Sequence, residues 1–257
     1  MKNIIKIIND RFIIISNIGL FSYLKYIFLK KGDQHKILIK GVEIYVRKGT
    51  PDLNTSISCF NGEFEILRNL FPEDFSGNII DAGGYIGTSA ISLHQIFPLA
   101  KIIIIEPSLD NLKILKQNVC NYVNIKIIHG ALVGSKIKTI DLKNRGTGEW
   151  GFSVVKKPKD NLDSKILHET PAYRLKDLIN SIGAIDIIKL DIEGGEFDIM
   201  QNDLNSLKKT PAVYAELHDY IIDGCSDLFF SFSKDRVLIK DKGEKYLSIS
   251  KNLGVQS

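Results

Sequence analysis

From residue 78 onward, short runs of consecutive apolar residues alternate with longer stretches whose apolar positions recur every three to four residues. The runs predict strands at 78–82, 101–106, 124–129, 185–190 and 212–217; the helical period predicts helices at 87–96, 108–121, 174–182, 195–208 and 223–233. Strands and helices alternating in this way build an α/β domain, a mostly parallel sheet with helices on both faces. Two late strands, 236–241 and 245–250, joined by Lys242-Gly243-Glu244, make the sheet mixed. Upstream, KILIKGVEIYVR at 36–47 reads as a hairpin turning at Lys40-Gly41. NGEFEILRNLF at 61–71 reads as a helix with an apolar stripe at Phe64, Leu67 and Phe71, ended by Pro72.

The pattern divides the chain into a helical and hairpin extension over 1–76 and an α/β domain over 77–257. With 257 residues, 44% of them hydrophobic, the chain can bury a full core. Residues 1–31 are apolar but carry Lys2, Lys6, Arg11, Lys25, Lys30 and Lys31 against one acid, Asp10. Their longest uncharged run, between Arg11 and Lys25, falls short of the ~20 residues that span a bilayer. Two readings stay open: a helix pair packed on the domain, or a basic amphipathic helix lying on an anionic membrane surface. A net charge of +4 without interleaved aromatic and basic residues argues against a nucleic-acid partner. Cys59, Cys120 and Cys225 lack CxxC spacing and fit a reducing compartment, so the expected location is cytoplasmic, extending to the inner face of a membrane. The pattern fixes no oligomeric state.

Candidate chemistry begins at NIIDAGGYIG, residues 78–87, where a strand ends in Asp81 and a glycine turn opens a helix. Nineteen residues after Gly87 a second strand, KIIIIE, ends in Glu106. Glycines let backbone approach a ligand closely, and an acid at the second strand end can accept hydrogen bonds from ribose hydroxyls. The dinucleotide fingerprint is imperfect, since Ala82 stands in the first glycine position; DxGxxxG, from Asp81, Gly83 and Gly87, fits better. With no basic residue in the turn, Asp81 should repel a diphosphate and suit a cationic ligand, which favours S-adenosylmethionine over NAD. A tight turn holding no ligand is the plain alternative. Because ligands bind beyond the carboxyl ends of such strands, Asp81, Glu106, Gly130, Asp191 and Glu216 should share one rim.

KLDIEGGE at 189–196, after the apolar run IDII, completes a set. With DAGGYIGTSA, IIIIEPS, NLKILKQNV, the AELH segment and VRKGTPDL near residue 50, it resembles the FkbM family of S-adenosylmethionine-dependent methyltransferases from about Gly41 to His218. The resemblance implies a class I methyltransferase fold, a Rossmann-like seven-stranded sheet whose last strand is antiparallel. It also implies methylation of hydroxyls on sugars, glycolipids or natural products. By the same resemblance, Asp81, Gly83, Gly84, Tyr85 and Gly87 border the methionine part of the cofactor, and Glu106 binds both ribose hydroxyls. Pro107 and Ser108 shape the adenine wall, Gly130 and Ala131 meet the adenine edge, and Asp191 faces the methionine ammonium or the acceptor. Gly84-Tyr85 stands where the family more often has Ala-Asn.

A protonated alcohol is a poor nucleophile, so a base or a metal must assist its loss of a proton. Asp191 and His218 are the base candidates, with Glu216 beside them because alternate strand residues share a face. These three also have the composition of a divalent metal site, although none is assigned. The competing readings are a helix cap for Asp191, a surface or helix-end imidazole for His218, a structural His129 and a Lys189 that pairs with an acid. Residues 141–170 read as a long loop in which Trp150 offers an aromatic platform, or packs the loop; Arg47 and Asp52 are candidate substrate contacts. The resulting expectation is an O-methyltransferase of polysaccharide biosynthesis, acting on a small-molecule or glycan hydroxyl. The alternatives are an NAD-dependent oxidoreductase or epimerase, and a non-catalytic cofactor-binding subunit.

Overall fold

A computed structural model describes residues 2–146, 151–154 and 165–253. Helices α1 (Lys2–Ile18) and α2 (Leu20–Ile27) lead into the hairpin β1 (Gln34–Ile39) and β2 (Val42–Arg47), which turns at Lys40-Gly41, both at positive φ. Helix α3 (Asp52–Ser58) follows. The stripe expected at 61–71 does not form one α-helix. Asn61 and Gly62 leave helical geometry within a π-turn over Cys59–Glu63, and a 3₁₀ turn covers Glu65–Leu70. Three residues per turn put Phe64, Leu67 and Leu70 on one buried face and leave Phe71 at the margin.

The main sheet then builds in order: β3 (Asn78–Ala82), α4 (Thr88–Ile96), β4 (Lys101–Glu106), α5 (Leu109–Val119) and β5 (Ile125–His129). Strands β6 (Ala131–Val133), β7 (Thr139–Asn144), β8 (Phe152–Ser153) and β9 (Lys165–Arg174) precede α6 (Leu175–Ile182) and β10 (Ile187–Leu190). The remaining elements are α7 (Gly195–Asn202), α8 (Leu204–Lys208), β11 (Ala212–Glu216), α9 (Cys225–Ser233), β12 (Val237–Lys240) and β13 (Lys245–Ile249). Among the described residues a seven-stranded sheet runs β12-β13-β11-β10-β3-β4-β5, parallel from β11 to β5 and antiparallel at β13. This is the mostly parallel, seven-stranded α/β sheet that was expected, with an antiparallel strand at β13. Every residue of β10 is buried, as a strand covered on both faces requires. One core layer joins β3 and β4 to α4, α5 and the β1–β2 hairpin; the other packs α6, α7 and α9 on the opposite face.

Two departures matter for the site. The helix expected at 195–208 breaks at Asp203, whose carboxylate accepts hydrogen bonds from the Ser206 hydroxyl and the Lys176 backbone N–H. The stretch 141–170 is not a plain loop: β7 and β9 pair antiparallel, and with β6 and β8 they form a second, four-stranded sheet. Its strand β9 buries only Thr170 and contains Pro171, so it shows neither alternation nor an unbroken apolar run.

Candidate active site

The turn after β3 is held by backbone geometry that few side chains tolerate. Gly83 has φ 78°, and a Cβ there would stand 1.8 Å from the Asp191 carbonyl oxygen. Gly84 and Gly87 sit against Ile104 and Val119 and serve packing beneath the turn. Tyr85, at φ 50°, donates its backbone N–H to Glu106 Oε2 at 2.8 Å and its hydroxyl to Asp52 Oδ1 in a short hydrogen bond. The wholly buried Asp52 also accepts from the Arg47 backbone N–H and guanidinium, and Arg47 donates to Asn111 Oδ1 at 3.0 Å. Arg47 and Asp52, expected at the substrate, are therefore a buried brace behind Tyr85 and not part of the cavity wall. The cause is local: α3 starts at Asp52 directly under β2, so the pair closes within five residues.

Glu106 ends β4 at the floor of a cavity of about 230 Å3. Its carboxylate accepts from Tyr85 N–H, Ser108 N–H and the Asn111 side-chain amide. Burial pushes the carboxyl up and those donors oppose it, leaving it at about 7. Gly83, Tyr85, Glu106, Pro107, Gly130 and Ala131 converge on this cavity as expected. The Ser108 hydroxyl instead caps α5, accepting from Asn111 N–H. His129 Nε2 lies 3.2 Å from the Pro107 carbonyl oxygen, a structural contact. Trp150 lies outside the described residues; its neighbour Gly151 lines the cavity.

Asp81 differs from expectation. It is fully buried, accepts from the Ser89 hydroxyl and lies 3.1 Å from Lys189 Nζ. The basic residue missing from the turn is supplied by the neighbouring strand, so Asp81 presents no free negative charge to a ligand. Lys189 also faces Asp191 at 3.5 Å and donates to the Gly83 carbonyl at 2.8 Å. Burial works against its charge, but Asp81 and Asp191 outweigh it and hold the amine well above its usual range.

The other end of the cavity is acidic: Asp191, Glu193 and Glu216 line it with Tyr220. Burial opposes ionisation of Asp191, yet Lys189 and His218 hold its carboxyl below the usual carboxylate value. At Glu193 burial dominates; His218 opposes it, Asp191 and Glu196 add to it, and the carboxyl is pushed up to about 7. Burial, then Asp191, raises Glu216 as well. His218 lies behind them, 1% exposed. Its Nε2 is 3.8 Å from Asp191 Oδ1 and 3.9 Å from Glu193 Oε1. Its Nδ1 is 3.2 Å from Glu196 Oε1, in charge contact but off the line of a good hydrogen bond. Burial lowers the imidazole, but Glu196, Asp191 and Glu193 reverse this and lift it to about 10. Buried behind the carboxylates, His218 does not line the cavity, so it is not placed to act directly on an acceptor as a base. Glu216 leans away toward Lys245, at 3.5 Å, so it does not complete the trio expected with Asp191 and His218.

Glu193 takes that place, and the sequence reading missed it. It adopts φ 52° between β10 and α7, a strained conformation for a residue with a side chain. The second sheet holds it there: Arg145 Nη1 donates to Glu193 Oε2 at 2.9 Å, and the Ser153 hydroxyl donates to its carbonyl at 2.7 Å. Glu196 accepts from Ile192 and Gly194 N–H and fixes the same turn. The available signal was the second acid of DIEGGE, two positions after Asp191.

The model of a family described as "Methyltransferase FkbM domain" matches residues 81–246. Similar solved structures include a SAM-dependent methyltransferase from Agrobacterium tumefaciens, 12% identical, covering 86% of this chain and 71% of that one, with TM-score 0.48. Another is precorrin-6y C5,15-methyltransferase from Geobacter metallireducens, 10% identical, covering 72% and 85%, with TM-score 0.41. A third is a fibrillarin pre-rRNA processing protein from Methanococcus jannaschii, 11% identical, covering 87% and 85%, with TM-score 0.43. A search of curated proteins gave no match.

Proposed function

The chain belongs to the FkbM family of S-adenosylmethionine-dependent methyltransferases, and from that premise we propose that it methylates a hydroxyl, on a sugar of a polysaccharide or glycolipid. One observation carries the reading: a single cavity has the Glu106 cradle at one end and the carboxylates of Asp191, Glu193 and Glu216 at the other. In this reading Glu106 accepts hydrogen bonds from the ribose hydroxyls. Pro107, Gly130 and Ala131 would enclose the adenine, and Gly83 and Asp191 would hold the methionine end. The methyl group then faces the acidic end. A second, open cavity of about 760 Å3 shares Thr55, Gly83, Tyr85, Asp191 and Glu216 with the first and gives a polar acceptor its approach.

The acceptor oxygen forms its bond to the methyl carbon as the carbon–sulfur bond breaks, and S-adenosylhomocysteine leaves. Positioning of the two reactants can supply about 7–11 kcal/mol of the barrier. The hydroxyl proton passes to a carboxylate; Glu193 and Glu216, both raised toward neutral pH, are matched to that task. Calorimetry with S-adenosylhomocysteine and with NAD tests the donor: binding of NAD alone would overturn it. Transfer of labelled methyl groups to glycan hydroxyls tests the acceptor, and transfer confined to nitrogen or carbon acceptors would rule it out.

We also propose that α1 and α2 rest on the inner face of an anionic membrane. Phe12, Phe21 and Phe28 are 70%, 71% and 83% exposed, beside the exposed Arg11, Lys25, Lys30 and Lys31. No helix among the described residues is long and apolar enough to cross a membrane, so the contact is with the surface. Flotation with phosphatidylserine vesicles should be lost when the three phenylalanines become serine. No flotation of the unaltered chain would remove the proposal.

A further inference from the structure

We propose that Asp191, Glu193 and His218 hold a divalent metal ion at the acidic end of the cavity. One ligand atom from each lies within 4.8 Å of the others. The separations of 3.8 and 3.9 Å from His218 Nε2 to the two carboxylates are too long for hydrogen bonds. They suit atoms that each lie roughly 2.0–2.2 Å from a common centre. Nε2 belongs to a side chain 1% exposed and lies almost equally far from the two carboxylates, while the buried Nδ1 has no hydrogen-bond partner among the described residues. On the far side of the ring, Glu196 faces Nδ1 at 3.2 Å and is itself fixed by two backbone N–H groups. Glu196 stands where a carboxylate commonly orients a metal-binding imidazole, here through a charge contact and not an aligned hydrogen bond.

The charge balance agrees. Three carboxylates surround one imidazole, and the neighbouring cations, the buried Lys189 and Arg145 and the half-buried Lys245, are each already paired with a carboxylate. Coordination through Nε2 requires that nitrogen to be unprotonated, so metal binding here releases a proton. Two oxygens and one imidazole nitrogen suit Mn2+ or Zn2+ better than Ca2+. Asp191 and Glu193 line the cavity, so the open coordination positions face it. An acceptor oxygen bound there would become more acidic, with Glu216 left free to take its proton. That role rests on the methyl-transfer reading; the metal site itself does not.

The test is titration of the chelator-treated full chain with Mn2+ alone, following free Mn2+ by electron paramagnetic resonance. One tight site per chain is expected. Glu193→Gln and Asp191→Asn should each weaken it by at least about 10-fold, and Glu196→Gln, which touches no metal, by about 10- to 100-fold. Glu216→Gln should change it by less than about 3-fold, the modest effect of one more distant charge. Near-UV circular dichroism confirms that each variant is folded; His218→Ala is a further ligand variant if one of these is not. Calorimetry of the same variants with S-adenosylhomocysteine reads the donor site separately. Mn2+ binding without S-adenosylhomocysteine binding would overturn the donor reading and leave the metal site standing. Absence of Mn2+ binding, or binding indifferent to Glu193→Gln and Asp191→Asn, overturns the proposal.

Discussion

Replacing Gly83 by alanine should damage stability and donor binding together, by an amount the geometry sets. At φ 78° a Cβ costs about 1–2 kcal/mol from backbone sterics alone. That Cβ would also meet the Asp191 carbonyl oxygen at 1.8 Å, and a backbone atom cannot rotate away as a side chain can. Overpacking of this kind adds about 1–3 kcal/mol. Gly41→Ala separates the two contributions: it has φ 84° but no atom within 4 Å of its Cβ, so it carries only the backbone cost. Urea unfolding should therefore show Gly83→Ala losing about 2–5 kcal/mol against about 1–2 kcal/mol for Gly41→Ala. The contact also spaces the β3 turn from the end of β10, so the cavity floor and Asp191 must part by on the order of 1 Å, a misplacement that can cost about 10²-fold in rate. S-adenosylhomocysteine affinity should fall in Gly83→Ala and stay unchanged in Gly41→Ala. Equal losses of stability in the two variants, with donor binding intact in both, would refute the claim that close approach to Asp191 makes this glycine necessary.

Glu106→Gln should weaken S-adenosylhomocysteine by roughly 10- to 100-fold, as expected for losing hydrogen bonds to a charged acceptor. In the unaltered chain, affinity should rise with pH through about 7 as Glu106 gives up its proton, while the glutamine variant stays flat in calorimetry across pH 5.5–8.5. Glu193→Gln should cut turnover about 10²- to 10⁴-fold with S-adenosylhomocysteine binding little changed; a change in KM alone would argue against a part in the chemistry. Asp52→Ala removes the buried carboxylate that Arg47 and Tyr85 share and should cost about 3–5 kcal/mol in urea unfolding; a cost under about 1 kcal/mol would mean the pair is no brace.

The strands of the main sheet and most helices beside them, the glycine turn and the Glu106 strand end were legible in the sequence because each depends on neighbours only a few positions away. An apolar run buried on both faces, such as IIIIE at 102–106, is readable as a central strand in any context. The positions of Glu106, Gly130, Asp191 and Glu216 on one cavity followed from topology alone, since parallel strands bring their carboxyl ends to one edge. The motifs were also sufficient to point to the family.

Charge pairing between strands was decided only by the tertiary structure. Asp81 reads as an unpaired acid until β10 lies beside β3 and places Lys189 against it. Arg47 and Asp52 read as rim polar groups until Tyr85 closes over them. Glu193 gains its place from Arg145 and Ser153, which reach it from a second sheet that the alternation rule could not detect, since β9 is mostly exposed and interrupted by Pro171. Local periodicity reports which face of an element is buried; it carries no information about which charge from a distant strand fills the space opposite. The sequence by itself determined the α/β scaffold and the Glu106 end of the cavity. The acidic end, where one imidazole meets three carboxylates, exists only once the two sheets are brought together.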